Sequence, residues 1–565
     1  MIIKLSDYIN NAENNVTPSL RRAIDALSDG DTLELGGGVY DLYADGAEVR
    51  HYFISNNDSG DKPIAFLLVG KKGITIDGGG AELIFHGRIL PFVVDASSDI
   101  TIKNLSVDYS SVWFSQALIV EADRYKTALR FSEDSPCRVN DGKFCFEVFG
   151  GEDVRDEVFA VEFERDRAGS PRPSSHIPPY FPTVTRGKDH GFLSGMYREV
   201  TLEETSHGVI TMYGNLGFVH TVGNHVVMLH SSREFPGFFI NESRNVRLES
   251  INIYYTSGMG VVGQLSENIT LDRVVAAPKK GSGRMISVNA DATHFVNCRG
   301  KIELTGCRFV SMNDDACNIH GIYLICEKSE SPDTIICGYG HHQQRGINIC
   351  RPGDHVAIID RDTTSTVCTA HVVSSELITP GELRLRLDRE VTLGENYLVE
   401  NLSTAPEIHI ADCESGNNRP RGFLLSSPGK TLVERCRFYN MYCGIQIGGE
   451  MRDWFESGAT TDVTIRDCDF ANSAYAGGTA ISIVPHLYEK NPRDFFHGRV
   501  VIEGNEFVQS SKRILRADLV RELVFKDNKF RLDESLPYHA PNGETGICVT
   551  NCGREDVAEV IEEKG

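Results

Sequence analysis

Ser287-Val-Asn289-Ala-Asp291-Ala-Thr-His294, followed by Val310-Ser-Met-Asn313-Asp314-Asp315-Ala-Cys-Asn-Ile-His320-Gly321, is the stretch whose reading decides the fold. Asp291 and Asp314 stand 23 residues apart, and similar apolar segments keep that interval elsewhere: Val246-Arg-Leu248 to Ile269-Thr-Leu271, and Val500 to Leu523. A chain that repeats its apolar pattern at this length stacks on itself. Asp291 and Asp314 are therefore expected as vertical neighbours on successive coils.

Working outward, nine segments share one form: apolar, any, apolar, two polar residues, then Cys, Asn or an aliphatic, any residue, and usually Phe or an aliphatic. They begin at Ile100, Val246, Ile269, Ile302, Ile408, Thr431, Val463, Val500 and Leu523. Alternation puts every second side chain inside the coil, and the Cys, Asn and Phe positions stack on their own kind. The predicted fold class is all-β: a right-handed parallel β-helix with an N-terminal capping helix and two inserted small β-barrel domains. Intervals of 32 to 37 residues between some repeats mark loops grown out of a coil.

The capping helix is read from Thr17-Pro-Ser19-Leu20-Arg-Arg-Ala23-Ile24-Asp-Ala-Leu27, with apolar residues at spacings of three and four, Ser19 as cap and Gly30 as stop. It would plug the open edge of the first coil. Two intervals, 146 residues from Ile100 to Val246 and 106 from Ile302 to Ile408, lose the repeat and carry antiparallel strand signals. Those signals include Thr127–Phe131, Phe144–Val148 and Val158–Phe163 in the first, and His355–Ile359, Val367–Val372 and Leu383–Leu387 in the second. Both are expected to be barrels set into coil loops, where insertion costs little closure entropy. The expected division is 1–111 (cap and first coils), 112–233 (first barrel), 234–320 (central coils with the acids), 321–405 (second barrel), 406–552 (C-terminal coils) and 553–565 (tail).

The net charge of −22 argues against a nucleic-acid partner, because phosphate binding needs a basic face. No apolar run reaches the ~18 residues of a membrane span. The N-terminus carries no long apolar leader, so the expected compartment is the cytoplasm or, if a leader was removed, the periplasm or exterior. Fifteen cysteines without a CxxC pair, several at one repeat position, are expected as buried thiols used as small apolar residues.

Hydrogen-bonded strands lie about 4.8 Å apart, so acids on successive coils start with roughly that backbone separation. Asp314 and Asp315 share a cleft only where the strand ends and bends, because neighbours in a strand face opposite sides. Three crowded carboxylates raise at least one pKa, which leaves one proton for a leaving group while the others stay ionised. Glycoside hydrolysis needs that division of labour. Other readings stand beside it. Asp-Asp pairs are common in turns, an oxygen cluster can hold calcium as in a metal-dependent polysaccharide lyase, and a glycan-binding β-solenoid adhesin needs no reaction at all.

The three acids resemble those of the polygalacturonase-like β-helix hydrolases, although the Gly-His-Gly and Arg-Ile-Lys motifs are missing and Ile319-His320-Gly321 is a partial echo. The closer resemblance is to glycoside hydrolase family 110, bacterial exo-α-1,3-galactosidases that remove terminal galactose from blood-group-B-type glycans. It is carried by Asn289-Ala-Asp291-Ala-Thr-His294-Phe295, by Met312-Asn313-Asp314-Asp315-Ala316-Cys-Asn318-Ile-His320-Gly321, and by the twice-interrupted coil. The resemblance implies Asp314 as general acid, Asp291 and Asp315 as holders of the attacking water, inversion, no metal and no cofactor. It also implies an oligosaccharide or glycoconjugate substrate with terminal galactose, and a homodimer. Candidate sugar contacts are Asn289, His294, Asn313 and His320 beside the acids, Arg284 before the first of them, Arg421 after the second insertion, and Glu450 and Trp454 on one loop. An exposed indole suits the apolar face of galactose.

Overall fold

The computed structural model describes residues 1–9, 14–133, 136–148, 151–166, 169–185, 187, 191–230, 233–488, 494–533, 546–558 and 561–562. Residues 559–560 and 563–565 of the expected tail lie outside the described residues.

The nine repeats stack one upon the next in a single parallel sheet. Ile100 pairs with Val246, Val246 with Ile269, Ile269 with Ile302, Ile302 with Ile408, Ile408 with Thr431, Thr431 with Val463, Val463 with Val500, and Val500 with Leu523. A second parallel sheet closes the coil, with the column Phe92, Phe238, Val261, Thr293, Cys317, Phe423, Ile445, Ile481, Leu515 and Ile547. The alternate residues of the repeats point inward and are fully buried, which makes one continuous apolar core along the coil. Arg554–Val557 and Ile561–Glu562 extend the first sheet by a further pairing.

The two polar residues of each repeat make the corner. The fifth position is left-handed in all nine: Asn104, Ser250, Arg273, Gly306, Asp412, Arg435, Asp467, Gly504 and Asp527, with φ between 51° and 67°. Asn, Asp and Gly tolerate that region best, which explains the polar pair in the sequence. Inside the corner the Cys and Asn side chains stack from coil to coil. The Cys468 amide donates to Asn505 Oδ1 and the Asn505 amide to Asn528 Oδ1, each at 2.9 Å. Phe470 lies between Phe438 and Phe507, with ring centroids 4.9 and 4.7 Å away. All fifteen cysteines are free thiols, most of them buried.

The N-terminal helix spans Thr17–Asp25 and buries Leu20, Ala23 and Ile24 in the coil core. Ser19 lies inside the helix, where it accepts from Arg22, and the Asn15 side chain instead takes the Thr17 amide at 3.0 Å. Gly30 does not stop the helix, which ends at Asp25; it turns with φ 82° and donates to Lys72 on a neighbouring coil. Pro18 in the first helical turn explains the early start better than the serine does.

Each long interval folds as antiparallel sheet while the coil resumes in register on its far side. The first holds a seven-stranded sheet whose central strands are His225–Leu229, Phe114–Ala122 and Lys126–Phe131. In the second, Cys317–Ser331 pairs with Thr334–Tyr339, which pairs with Glu382–Leu387, then Thr366–Thr379, His355–Asp360 and Tyr397–Asn401, and the last returns to Cys317–Ser331. Among the described residues no helix is long and apolar enough to cross a membrane.

Candidate active site

The acids sit where the second sheet meets its preceding bends. Thr293 pairs with Cys317, an interval of 24 rather than 23, and the Ala292 amide donates to the Asp315 carbonyl at 2.9 Å. The vertical neighbour of Asp291 is therefore Asp315, not the expected Asp314. The local coil is one residue longer than the repeat, and Asp314 stands out into the bend, where it is the most exposed of the three. Cys317 pairs in turn with Phe423, which puts Arg421 above Asp315 in the same column.

Nearest carboxylate oxygens of Asp291, Asp314 and Asp315 lie within 4.8 Å of one another. Arg421 grips Asp315 with both prongs, Nε to Oδ1 at 2.9 Å and Nη2 to Oδ2 at 2.8 Å. Arg233 donates to Asp314 Oδ2. Asp291 Oδ2 lies 2.9 Å from Nδ1 of His294. Burial pushes Asp291 up to about 8, helped by the charge of Asp314 and opposed by Arg233. Burial likewise pushes Asp315 up to about 8, against the pull of Arg421. Like charges this close retain a proton among them.

These residues line a cavity of about 310 Å³ together with Asn56, Asn318, Gln446, Trp454, Glu456 and His486. The size is at the small end for ligand sites and suits one sugar ring. Of the expected contacts, Arg421, Glu450 and Trp454 reach this cavity. Trp454 is half-buried rather than exposed, against His341 at 4.3 Å and under the Arg233 guanidinium at 5.5 Å. Glu450 accepts from the amides of Arg452, Asp453, Trp454 and Phe455, so its carboxylate ties the loop that carries the indole. Asn289, His294, Asn313 and His320 are buried and do not line the cavity, although His294 pairs with Asn318 and shares its face of the sheet. Arg284 is far from the acids in role as well as place. It pairs with Asp108 and lines a separate cleft of about 1120 Å³ between the first insertion and the coil.

Arg233 and Glu456 were not legible in the sequence. Arg233 ends the long first insertion and Glu456 follows Trp454 on its loop, and neither belongs to a periodic segment. Asn318 stood inside the quoted stretch, and the alternation that buries Cys317 and Ile319 is the signal for its outward position. A divalent cation fits this donor set poorly. Both oxygens of Asp315 are engaged by Arg421 and one of Asp314 by Arg233, whereas calcium takes six to eight uncommitted oxygens.

The family model for GLAA-B beta-barrel domain II matches residues 334–394, within the second insertion. Alpha-1,3-galactosidase A of Shewanella woodyi is 32% identical over 93% of this chain and 85% of that protein. Alpha-1,3-galactosidase B of Phocaeicola vulgatus is 31% identical over 95% of this chain and 91% of that protein. Among solved structures, the Yersinia enterocolitica family 28 exopolygalacturonase aligns with a TM-score of 0.40 and 10% identity, over 99% of this chain and 79% of that one. With 32% and 31% identity to these two α-1,3-galactosidases sustained along nearly its entire length, the chain belongs to the α-1,3-galactosidase A/B family, glycoside hydrolase family 110.

Proposed function

We propose that the protein is an exo-acting hydrolase that releases terminal α-1,3-linked galactose from oligosaccharides or glycoconjugates. The observation that carries this reading is a one-sugar cavity with three carboxylates on one wall, in a chain whose relatives are named α-1,3-galactosidases. Asp314, at the most open position, is the general acid on the glycosidic oxygen. Arg233 holds its Oδ2 and leaves Oδ1 for the proton. Asp291 and Asp315, one above the other, position the water. The forming bond joins water oxygen to C1, the breaking bond frees the aglycone oxygen, and one proton moves on each side. Trp454 offers the apolar face of the galactose a wall.

Inversion and the homodimer are part of the same family reading, as are the right-handed sense of the coil and the closure of both insertions into barrels. The match of the second-barrel model to residues 334–394 supports that closure in the second insertion. One observation favours a different stereochemical course. Carboxylate oxygens within 4.8 Å are closer than the ~6.5–9.5 Å usual for inverting pairs, and a retaining enzyme would attack C1 with Asp291 itself.

The test is a panel of terminal α-galactosides differing in linkage and fucosylation, with proton NMR following the first anomer released. β-Galactose from α-1,3-linked substrates alone is the expected result. α-Galactose first would replace inversion by retention, and no galactose from any substrate would remove the hydrolase reading. Asp314→Asn should lower kcat by about 10²- to 10⁴-fold.

A further inference from the structure

From Asp291 a chain of buried titratable groups runs through two histidines and returns to the cavity wall at Glu456. His294 Nδ1 meets Asp291 Oδ2 at 2.9 Å, His294 Nε2 meets His320 Nε2 at 3.0 Å, and His320 Nε2 lies 3.5 Å from Glu456 Oε1. Both imidazoles are fully buried. Asn56 donates to Glu456 Oε1 at 3.1 Å and Asn318 donates to it at 3.4 Å.

Hydrogen positions follow from the partners. His320 Nδ1 lies 2.6 Å from the Gly321 carbonyl, which only accepts, so this nitrogen carries a hydrogen. One hydrogen must also lie between the two facing Nε2 atoms, since two lone pairs at 3.0 Å repel. If Asp291 is ionised, His294 Nδ1 must carry a hydrogen too, and the pair then holds one proton more than two neutral imidazoles do. If the pair is neutral, that proton sits on Asp291 as a carboxylic acid. The two states differ only by hydrogens sliding along the chain, from Asp291 to His294 Nδ1 and from His294 Nε2 to His320 Nε2.

We infer that His294 and His320 form a buried proton-holding pair, with Glu456 as counter-charge, that keeps Asp291 a carboxylate and so makes Asp291, rather than Asp315, the group that takes the proton of the attacking water. Asp315 has both oxygens engaged by Arg421, whereas among the described residues no hydrogen bond reaches Asp291 Oδ1. Burial works against this arrangement, raising Asp291 and depressing His294, while Arg233 and Arg421 favour the ionised Asp291 and Glu456 favours a charged pair. Asp291 is faced by Asp314, Arg233, Glu456, Arg421 and Asp315; His294 by His320, Glu456, Arg233 and Asp314; and Glu456 by both histidines and Arg421. Burial acts to raise Glu456, yet His320, His294 and Arg421 hold it below the ordinary value, as a counter-charge requires. Glu456 Oε1 stands 3.5 Å from His320 Nε2, so the geometry puts the counter-charge at the His320 end of the pair. His294 and His320 are positioning residues, because neither lines the cavity, and Glu456, which does, acts on Asp291 through them.

The inference rests on the hydrolase reading, and its test separates the two. ¹⁵N-histidine NMR of the intact protein without substrate, assigned through spectra of His294→Gln and His320→Gln, should show one imidazolium in the pair at pH 7. A pair of neutral rings from pH 5 to 8 overturns the inference, whatever the enzyme hydrolyses. Kinetically, His320→Gln and Glu456→Gln should each move the acid limb of kcat/KM upward by at least one pH unit, with activity recovering at alkaline pH. A loss equal at every pH, in variants whose melting and circular dichroism are unchanged, would mean a merely structural role. If the variants do not fold, the NMR of the unaltered protein decides. If the unaltered protein releases no galactose, the hydrolase reading fails while the NMR result still stands.

Discussion

Arg421 reaches Asp315 because they occupy the same column of adjacent coils, so the guanidinium arrives with its plane along the carboxylate. A lysine there supplies charge without the fork and leaves one Asp315 oxygen unheld. Arg421→Lys should keep the fold, with an unchanged melting curve, and lower kcat/KM by about 10²-fold through a misplaced acid pair. The acids themselves were readable in advance because they repeat at nearly a coil length and sit among polar residues in an apolar frame. The one-residue excess that exchanges Asp315 for Asp314 as the partner of Asp291 was not readable. It comes from a register shift in the first sheet, where Arg299 pairs with Glu267 but Ile302 with Ile269, so the extra residue enters beside Gly300, with φ 64°. His294 and His320 follow the same alternation as Asn318, and what was hidden is their burial, since Glu456, which stands against His320, comes from a loop far along the chain.

A corner in the left-handed region at the fifth position is what makes nine different segments one element. Gly306 tests it cleanly, since an added Cβ would meet only Arg273 Cγ at 3.5 Å, an ordinary contact. Gly306→Ala should thus destabilise by about 1–2 kcal/mol through backbone strain alone, and Gly306→Asn by less, as a fall in melting temperature. Phe470, fully buried between two rings, should be worth more: Phe470→Ala is expected to lose about 3–5 kcal/mol and lower the melting temperature further than either glycine variant. The apolar alternation and the Cys, Asn and Phe stacks were legible from the sequence, because a side chain in a stacked coil meets its own equivalent. Strands of the insertions were legible singly but not in order, since antiparallel partners far apart in sequence leave no period to count. The N-terminal helix shows a smaller miss, in which a serine suited to a cap was overridden by a proline that starts the helix before it.

Taken as a whole, the molecule builds its cavity from separated parts of the chain: Asn56, Arg233, the acids of the coil, Arg421, the loop from Glu450 to Glu456, and His486. Ligand should brace these parts together, so galactose is expected to raise the melting temperature with concentration, and Arg421→Met should abolish the rise. Two histidines outside the site weaken the fold in acid. Burial depresses His230, stacked on Phe146, and His497, bonded to Thr460, from 6.5 to about 3 each. Below pH 6.5 the unfolded chain binds protons that the native protein excludes. Their contribution is therefore fully present above 6.5 and is lost as pH falls towards 3, at about 1.4 kcal/mol per pH unit for each histidine. Melting temperatures between pH 7 and 4 should fall steeply, and His497→Gln should flatten that slope. Because the strands meet in one register on both sides of each insertion, copying or excising the 23-residue unit from Val500 to Leu523 leaves no amide stranded. Lineages descended from such a chain are free to grow or shrink by whole turns at its far end, gene segment by gene segment, while inheriting the catalytic floor intact.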